Sequence, residues 1–591
     1  MIFSFAMPIP QNKLSAALIA SAMALSASAA NPSESSAPAP DSSEHHSAAS
    51  EWAKKIRVSG AVQTEFLIPY NFKGKMTGDY EKDVLNNTYF DLTINAPYIS
   101  AGARFQWTKW PLPGYDKDFG GWGVPYIWAT GSYKSWQLTV GDFYEQFGSG
   151  LILRTYQERS LGVDNAIRGG RFKINPAPGL HFTALAGKQR CYWEWNAAWL
   201  WGADAEWALD DTFRDKFSND YGLAIGASYV GKHDPSEQIM SNSASQRPDY
   251  DPDKNYYLHL PENIAAFDGR IKLRAHDFNF LLEYATKNND PNSTNNFTYR
   301  RGNAVLLSGT YANKGFSALL QAKRSENMDF RSKRVINADN FISSFVNHMP
   351  AFTMTQTYAL AAMYPYATQA NGEWAFQADL RYLFKKGTPM GGKYGTNVRL
   401  SASYISGLDY NLPPGVTIDD RLDGTNNFGA PFWKIGDLYY ADLNFELNKK
   451  LSRKFQFTLF YLFQKYNQEI ILAHPGMVTA NVFVGEGQWK IAKKTQLRFE
   501  AQYLTATHDK GDWTSGLVEL SLAPHWMISV SDTYNFGEKK NFYEVLGSYT
   551  YRANRFTFGY GKVREGYNCS GGVCRWVPET EGFKVTYNYT F

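Results

Sequence analysis

The stretch Phe583–Phe591, FKVTYNYTF, sorts its side chains by parity. In an extended chain Phe583, Val585, Tyr587, Tyr589 and Phe591 fall on one face, and Lys584, Thr586, Asn588 and Thr590 on the other. The same division recurs upstream. In Gln496–Tyr503, Leu497, Phe499, Ala501 and Tyr503 alternate with Gln496, Arg498, Glu500 and Gln502. In Tyr439–Leu447 the polar-face positions are Tyr440, Asp442, Asn444 and Glu446, and in Gly269–Arg274 Ile271 and Leu273 alternate with Arg270, Lys272 and Arg274. A polar face carrying charges of both signs suits a wet lumen, whereas the core of a closed soluble sandwich would reject it. The bland alternative is a large antiparallel sheet with one solvated face.

Composition narrows the choice. The chain has 591 residues, with 60 Lys+Arg against 56 Asp+Glu, so its formal charge of +4 argues against nucleic acid as a partner. Aromatic residues reach 16% and charged residues only 20%, with a mean hydropathy of −0.42. No apolar run after the N-terminal segment reaches the ~18 residues of a membrane helix. Disorder is excluded by the aromatic content. Three cysteines exclude a disulfide framework and most cysteine-based metal sites.

Residues 1–30 read as a signal peptide, with Lys13 in the n-region, Leu14 to Leu25 as the h-region and Ala27-Ser28-Ala29 as the cleavage site. No cysteine follows the h-region, so no lipoprotein anchor is expected. Residues 31–57 begin as a low-complexity tract and form a flexible periplasmic arm, whose His45-His46 pair reads as solvated tail rather than a metal site. Residues 58–591 then form one domain, because no linker interrupts the alternation. The expected fold is all-β: one large transmembrane antiparallel β-barrel of about 24–26 strands, within a range of 22–26.

Connections alternate in length. Short ones fall near Asn95-Ala96-Pro97, Gly131-Ser132, Ala275-His276-Asp277, Asn313-Lys314-Gly315, Asn448–Arg453, Lys493-Lys494 and Ala553-Asn554. Long ones fall near 144–167, 231–262, 326–352 and 408–436. About 25 segments are countable, and the phase of short and long connections slips once between 386 and 436. An even number is expected, so one segment there is miscounted.

Asp142–Arg171, DFYEQFGSGLILRTYQERSLGVDNAIRGGR, breaks the alternation where an external loop is due. Gly148-Ser149-Gly150 permits a tight bend. An inward fold of 142–171 would make Glu145, Arg154, Glu158, Arg159, Asp164, Arg168 and Arg171 pore-lining, with a modest preference for anions. The alternative is an ordinary external loop ordered by its own ion pairs. Cys569 and Cys574, five apart in an exported chain, can close a disulfide ring, leaving Cys191 over. The ten histidines show no H-E-x-x-H spacing and no G-x-S-x-G occurs, so neither enzyme activity, nor a metal, nor any cofactor is expected.

The terminal FKVTYNYTF, the YEQFGSGLILR and LGVDNAIRGGR runs, and CSGGVCRWVPETEGF resemble a family of uncharacterised Bacteroidota outer-membrane β-barrel (porin-like) proteins. The aromatic-ended last strand also resembles the signal read by the barrel-assembly machinery. The resemblance implies the bacterial outer membrane as location, and as partners outer-membrane lipid and lipopolysaccharide, that machinery and other outer-membrane subunits. Two functions stand side by side. One is a porin-like channel for small polar solutes, and the other a non-conducting structural or assembly/secretion subunit of a larger outer-membrane complex.

Overall fold

The computed structural model describes residues 55–70, 84–217, 220–235, 238–241, 250–336, 342–411, 429–472, 474–570 and 572–591. The signal peptide and nearly all of the 31–57 arm lie outside them. Twenty-four strands hydrogen-bond side by side into one sheet, every pairing antiparallel and nearly every one between chain neighbours. The sheet closes on itself: Arg57–Pro69 pairs with Leu85–Asn95 on one edge and with Thr580–Thr590 on the other, in the register Ala61↔Thr590 to Pro69↔Gly582. Closure removes both edges of this sheet.

The alternation read from the sequence is the division between outside and lumen. On Thr495–Thr507, Phe499 is 41% exposed and faces outward with Ala501 and Tyr503, while Glu500, at 8%, faces inward with Gln502. Val518, Val530, Val545, Phe558 and Phe583 continue the exposed apolar band round the wall. Such a surface is stable in hydrocarbon and costly in water.

The connections sort onto two rims. One rim carries tight turns such as 134–135, 276–277, 314–315 and 493–494, together with both ends of the closed sheet. The other carries 144–166, 234–262, 327–371 and 409–434. The first turn beyond Trp122–Tyr133 comes at Lys134, whose φ of 51° makes the reversal, so Gly131-Ser132 belongs to the strand. The slip in phase also has a cause. The connection 385–395 joins Gly372–Phe384 to Thr396–Leu408 on the tight-turn rim despite its length, and the true count is 24.

The wet lumen is confined to one end. Near the tight-turn rim the Lys272 and Arg274 side chains are 46% and 49% exposed, paired with Glu206 at 2.7 Å and Asp210 at 3.2 Å. Towards the loop rim the inward positions are buried. Ser401, Ser403, Ile405, Asp442, Asn444, Leu462, Gln464, Val482, Gln502 and Leu504 are all covered by chain folded into the lumen. The barrel is therefore a cup, open at the tight-turn rim and filled at the other.

Candidate functional site: the stoppered lumen

Among the described residues, two loops supply the buried apolar filling of the cup. Segment 144–166 bends inward at Gly148 and Gly150, with φ of 51° and 92°, values that suit glycine. Its Phe147, Leu151, Ile152 and Leu153 are fully buried in the central cluster. Ser149 closes the bend by donating its backbone N–H (2.9 Å) and its Oγ (2.5 Å) to the Glu283 carboxylate on Phe278–Lys287. A Cβ on Gly148 would run into that carboxylate.

Segment 327–371, in its described residues 327–336 and 342–371, is the main stopper. Its Phe330, Met349, Phe352, Tyr358 and Leu360 pack in one cluster with the wall residues Phe460, Leu462, Val482, Val484 and Leu504. Burying each such side chain contributes roughly 1.5–3 kcal/mol, so the stopper holds as a unit. The polar wall positions bind it too. Gln356 Nε2 donates to Asn444 Oδ1 (2.7 Å), the Leu360 N–H to Gln502 Oε1 (2.9 Å), and Gln464 Nε2 to the Tyr364 carbonyl (2.7 Å). The two loops are joined to each other: Asn347 Nδ2 donates to the Leu151 carbonyl (2.8 Å), and the Arg154 N–H to the Val346 carbonyl (2.9 Å).

Buried charges lock the stopper's roots. Lys323, just before it, pairs with Glu373, just after it, at 2.8 Å with both side chains fully buried. Lys323 also donates to the Pro350 carbonyl at 2.5 Å. Glu373 accepts the Gln369 N–H (2.7 Å) and the Tyr366 hydroxyl. Burial first, and the Glu373 charge second, push that hydroxyl well above the ordinary tyrosine value, so it stays a donor. A second lock joins Asp290 to Lys232 (2.7 Å) and Lys287 (3.5 Å). Burial alone would raise the Asp290 carboxyl, but the two lysines outweigh it and hold it below the usual carboxylate range.

The residues singled out in 142–171 are mostly spent on ion pairs with the wall. Arg159 reaches Asp91 (2.6 Å) and Gln63 (2.9 Å) and lies over the Tyr89 ring. Asp164 takes Arg190 (2.5 Å), Arg104 (3.4 Å) and the Tyr144 hydroxyl (2.8 Å). Glu145 pairs with Arg171 (3.2 Å) and Lys173 (2.7 Å). Glu158 accepts Ser160 Oγ at 2.7 Å, and the Arg154 guanidinium lies over Tyr156. Arg168 is different, and the expectation that it lines the pore needs correcting. It shares its strand face with Phe172, which is 39% exposed, so parity turns it outward, where it grips Asp142 (2.6 Å) and stacks on Trp195. Most of the charge in this run is thus engaged in holding the loop to the wall.

Cys569 and Cys574 are disulfide-bonded across the hairpin Gly566–Ser570 and Val573–Val577, and Cys191 is free. The hairpin lies over the loop rim, held by Arg575 donating to the Pro113 and Ser160 carbonyls (both 2.9 Å). The principal feature missed by sequence reasoning is the stopper itself. Its signal was present: Phe345–Tyr366 is rich in Met, Phe, Tyr, Leu and Ala without alternation, a composition unsuited to a loop in water. Among the described residues no group of His, Cys, Asp or Glu has the arrangement of a metal site.

Residues 13–591 match a family of unknown function, DUF6029. The chain belongs to the DUF6029 family. Among solved structures, the DUF6029 barrel is similar to the P pilus usher (PapC) translocation pore, at 9% identity and a TM-score of 0.40, over 91% of this chain and 99% of that one. It is also similar to the siderophore receptor PirA from Pseudomonas aeruginosa (9%, TM-score 0.39, 90% and 80% covered). A third is Acinetobacter baumannii OccAB3 (9%, TM-score 0.33, 91% and 99% covered). Likeness at this level says nothing of function. No curated protein matches the chain.

Proposed function

We propose that this DUF6029 protein is an outer-membrane barrel that passes small polar solutes selectively, through a lumen held shut by its own loops until a solute or partner releases them. The observation that carries the reading is the apolar and hydrogen-bonded packing of 327–371 against the lumen wall, beneath an outer surface suited only to lipid. An open porin has no use for such a cluster, whereas a gated route does. In this reading outer-membrane lipid and lipopolysaccharide contact the band, the barrel-assembly machinery inserts the chain, and the protein carries out no catalysis. The 142–171 segment then contributes to closure rather than to charge selection.

A second reading is a non-conducting structural or assembly/secretion subunit, and the same filled lumen favours it, since a scaffold needs no pore. Planar-bilayer recording separates the two. The parent protein should show small or rare conductance, and replacing 328–370 by a short Gly-Ser linker should produce a large, steady pore. Wide steady conductance by the parent overturns the stopper. A silent parent that opens under no solute, and that migrates with other subunits on blue-native gels, supports the scaffold reading.

A further inference from the structure

A groove of ≈ 600 Å³ runs down the outer wall of the barrel, on the side away from the stopper. Its floor is Gly485 and Ala501, opposite each other on paired strands, and its sides are Phe445, Leu459, Phe483 and Tyr503. The dent exists because the floor lacks side chains: a Cβ on Gly485 would meet nothing within 4 Å. Leu459 and Phe483 are each 51% exposed, so the groove belongs to the apolar band and faces hydrocarbon. Left empty, such a dent forfeits dispersion contacts, and a flexible hydrocarbon chain can follow its shape.

Lys465 stands above this groove. On Phe455–Asn467 it shares the outward face with Leu459 and Tyr461, and the pairing with Met477–Ala492 runs to Asn467 without a register shift, so parity holds. Its cross-strand neighbours on that face, Ala441 and Thr479, are short. The outward Arg168 grips Asp142, but Lys465 makes no ion pair among the described residues. It lies six residues beyond Leu459 towards the loop rim, the external one in barrels of this kind. That is about 20 Å along the strand and, at a tilt of about 35–45°, roughly 15 Å along the membrane normal. One leaflet of a hydrocarbon core about 30 Å thick has this depth. The wall therefore sets a positive charge at headgroup level over an apolar groove near the midplane.

We propose that this face binds one lipopolysaccharide molecule of the outer leaflet, with an acyl chain in the groove and a lipid A phosphate on Lys465. The site rests on the membrane location in the proposed function but not on the stopper, since wall strands supply its lining. The full chain, freed of lipid and held in detergent, can be titrated with lipid A and followed by native mass spectrometry. It should take up one molecule per barrel, saturably, and bind phosphatidylethanolamine at least about tenfold more weakly. Lys465→Gln should weaken lipid A about fivefold, the effect of one basic side chain on an anionic lipid, and leave dephosphorylated lipid A unchanged. Gly485→Leu fills the groove and should weaken both forms about tenfold, as losing a contact of about two methylenes would. Gly547→Leu, at an equally open wall position, is the control and should change nothing. Lys465→Gln keeps the test alive if Gly485→Leu fails to fold. No saturable uptake by the parent overturns the proposal, as does equal binding of phosphatidylethanolamine. So does affinity unchanged in Lys465→Gln or in a compactly migrating Gly485→Leu. A parent dimer that Gly485→Leu splits gives the groove to a second copy of the chain and overturns it too. Parent chain found outside the outer membrane would sink the location on which the site rests, whereas a failed titration leaves that location standing.

Discussion

Glu373 shows why an inward charge on this barrel is not a pore residue. It sits in a fully buried pair with Lys323 and also receives the stopper's Gln369 N–H and Tyr366 hydroxyl, so it ties chain to chain. Glu373→Gln keeps the acceptor and strands the lysine charge, a loss of about 3–5 kcal/mol by analogy with other buried pairs. The temperature at which the compact band opens on semi-native gels should fall, and adding Lys323→Met should recover most of it. No recovery in the double variant would mean that the charge pair is not what anchors the roots. Phe591 works at the seam instead. Its backbone exchanges two hydrogen bonds with Gly60, and its ring covers that glycine. Phe591→Ala should lower the amount of assembled barrel in outer-membrane fractions, while an unchanged amount would assign the ring no part in closure.

At the scale of elements, the Asp290 lock gives the stopper a pH dependence with a definite sign. A carboxyl whose folded value is depressed adds stability above its ordinary value, 3.8 for aspartate, and loses it as pH falls through the depressed one. Hydrogen exchange in 288–301 and in the adjoining root 327–336 should therefore stay slow at neutral pH and quicken only below about pH 4. Asp290→Asn should show quickened exchange already at neutral pH, because Lys287 then loses this counter-ion and Lys232 keeps only its longer pair with Asp234 at 3.6 Å. Quickening near pH 6 in the parent would point to another group. The rim hairpin is expected to be more tolerant. Its disulfide closes a short ring, worth at most ~2–3 kcal/mol in the chain-entropy model, and Arg575 holds the hairpin independently. Cys569→Ser with Cys574→Ser should leave heat-modifiable migration unchanged, and mass spectrometry of the unreduced parent should find these two linked and Cys191 unlinked.

For the whole molecule, a closed sheet with an exposed apolar band and a filled cup has one comfortable solvent. The band would aggregate in water and is neutral in hydrocarbon, while the lumen packing keeps the interior from depending on lipid at all. The protein should accordingly fractionate with outer membrane and migrate as a compact species until heated. Recovery of folded chain from the soluble periplasm would sink the barrel's membrane reading. The internal core also predicts that removing 148–160 alone yields only a partial leak, since 327–371 still fills the cup. A full-sized pore from that deletion would make the shorter loop the true stopper.

The alternation in Phe583–Phe591, Gln496–Tyr503 and Gly269–Arg274 determined that the chain is all-β. A period of two with one apolar and one charged face admits a barrel or a large sheet with one solvated face, and the export signal, the terminal strand and the number of segments decided for the barrel. Strand number was legible to within one, and failed where the eleven-residue connection 385–395 broke the rule that this rim turns tightly. What covers the inward face was not legible from the strands themselves. Glu500, Gln502, Asn444 and Gln464 look alike whether they meet water or a stopper, because a polar side chain satisfied by solvent and one satisfied by a backbone amide have the same sequence. Likewise Arg159 and Arg168 sit in one charged run, yet one reaches Asp91 across the loop and the other grips Asp142 on the outer face. Parity along a strand is local and can be read from neighbours. The partners of a loop that crosses a lumen are set by which distant strands closure brings within reach, and only the folded chain decides that.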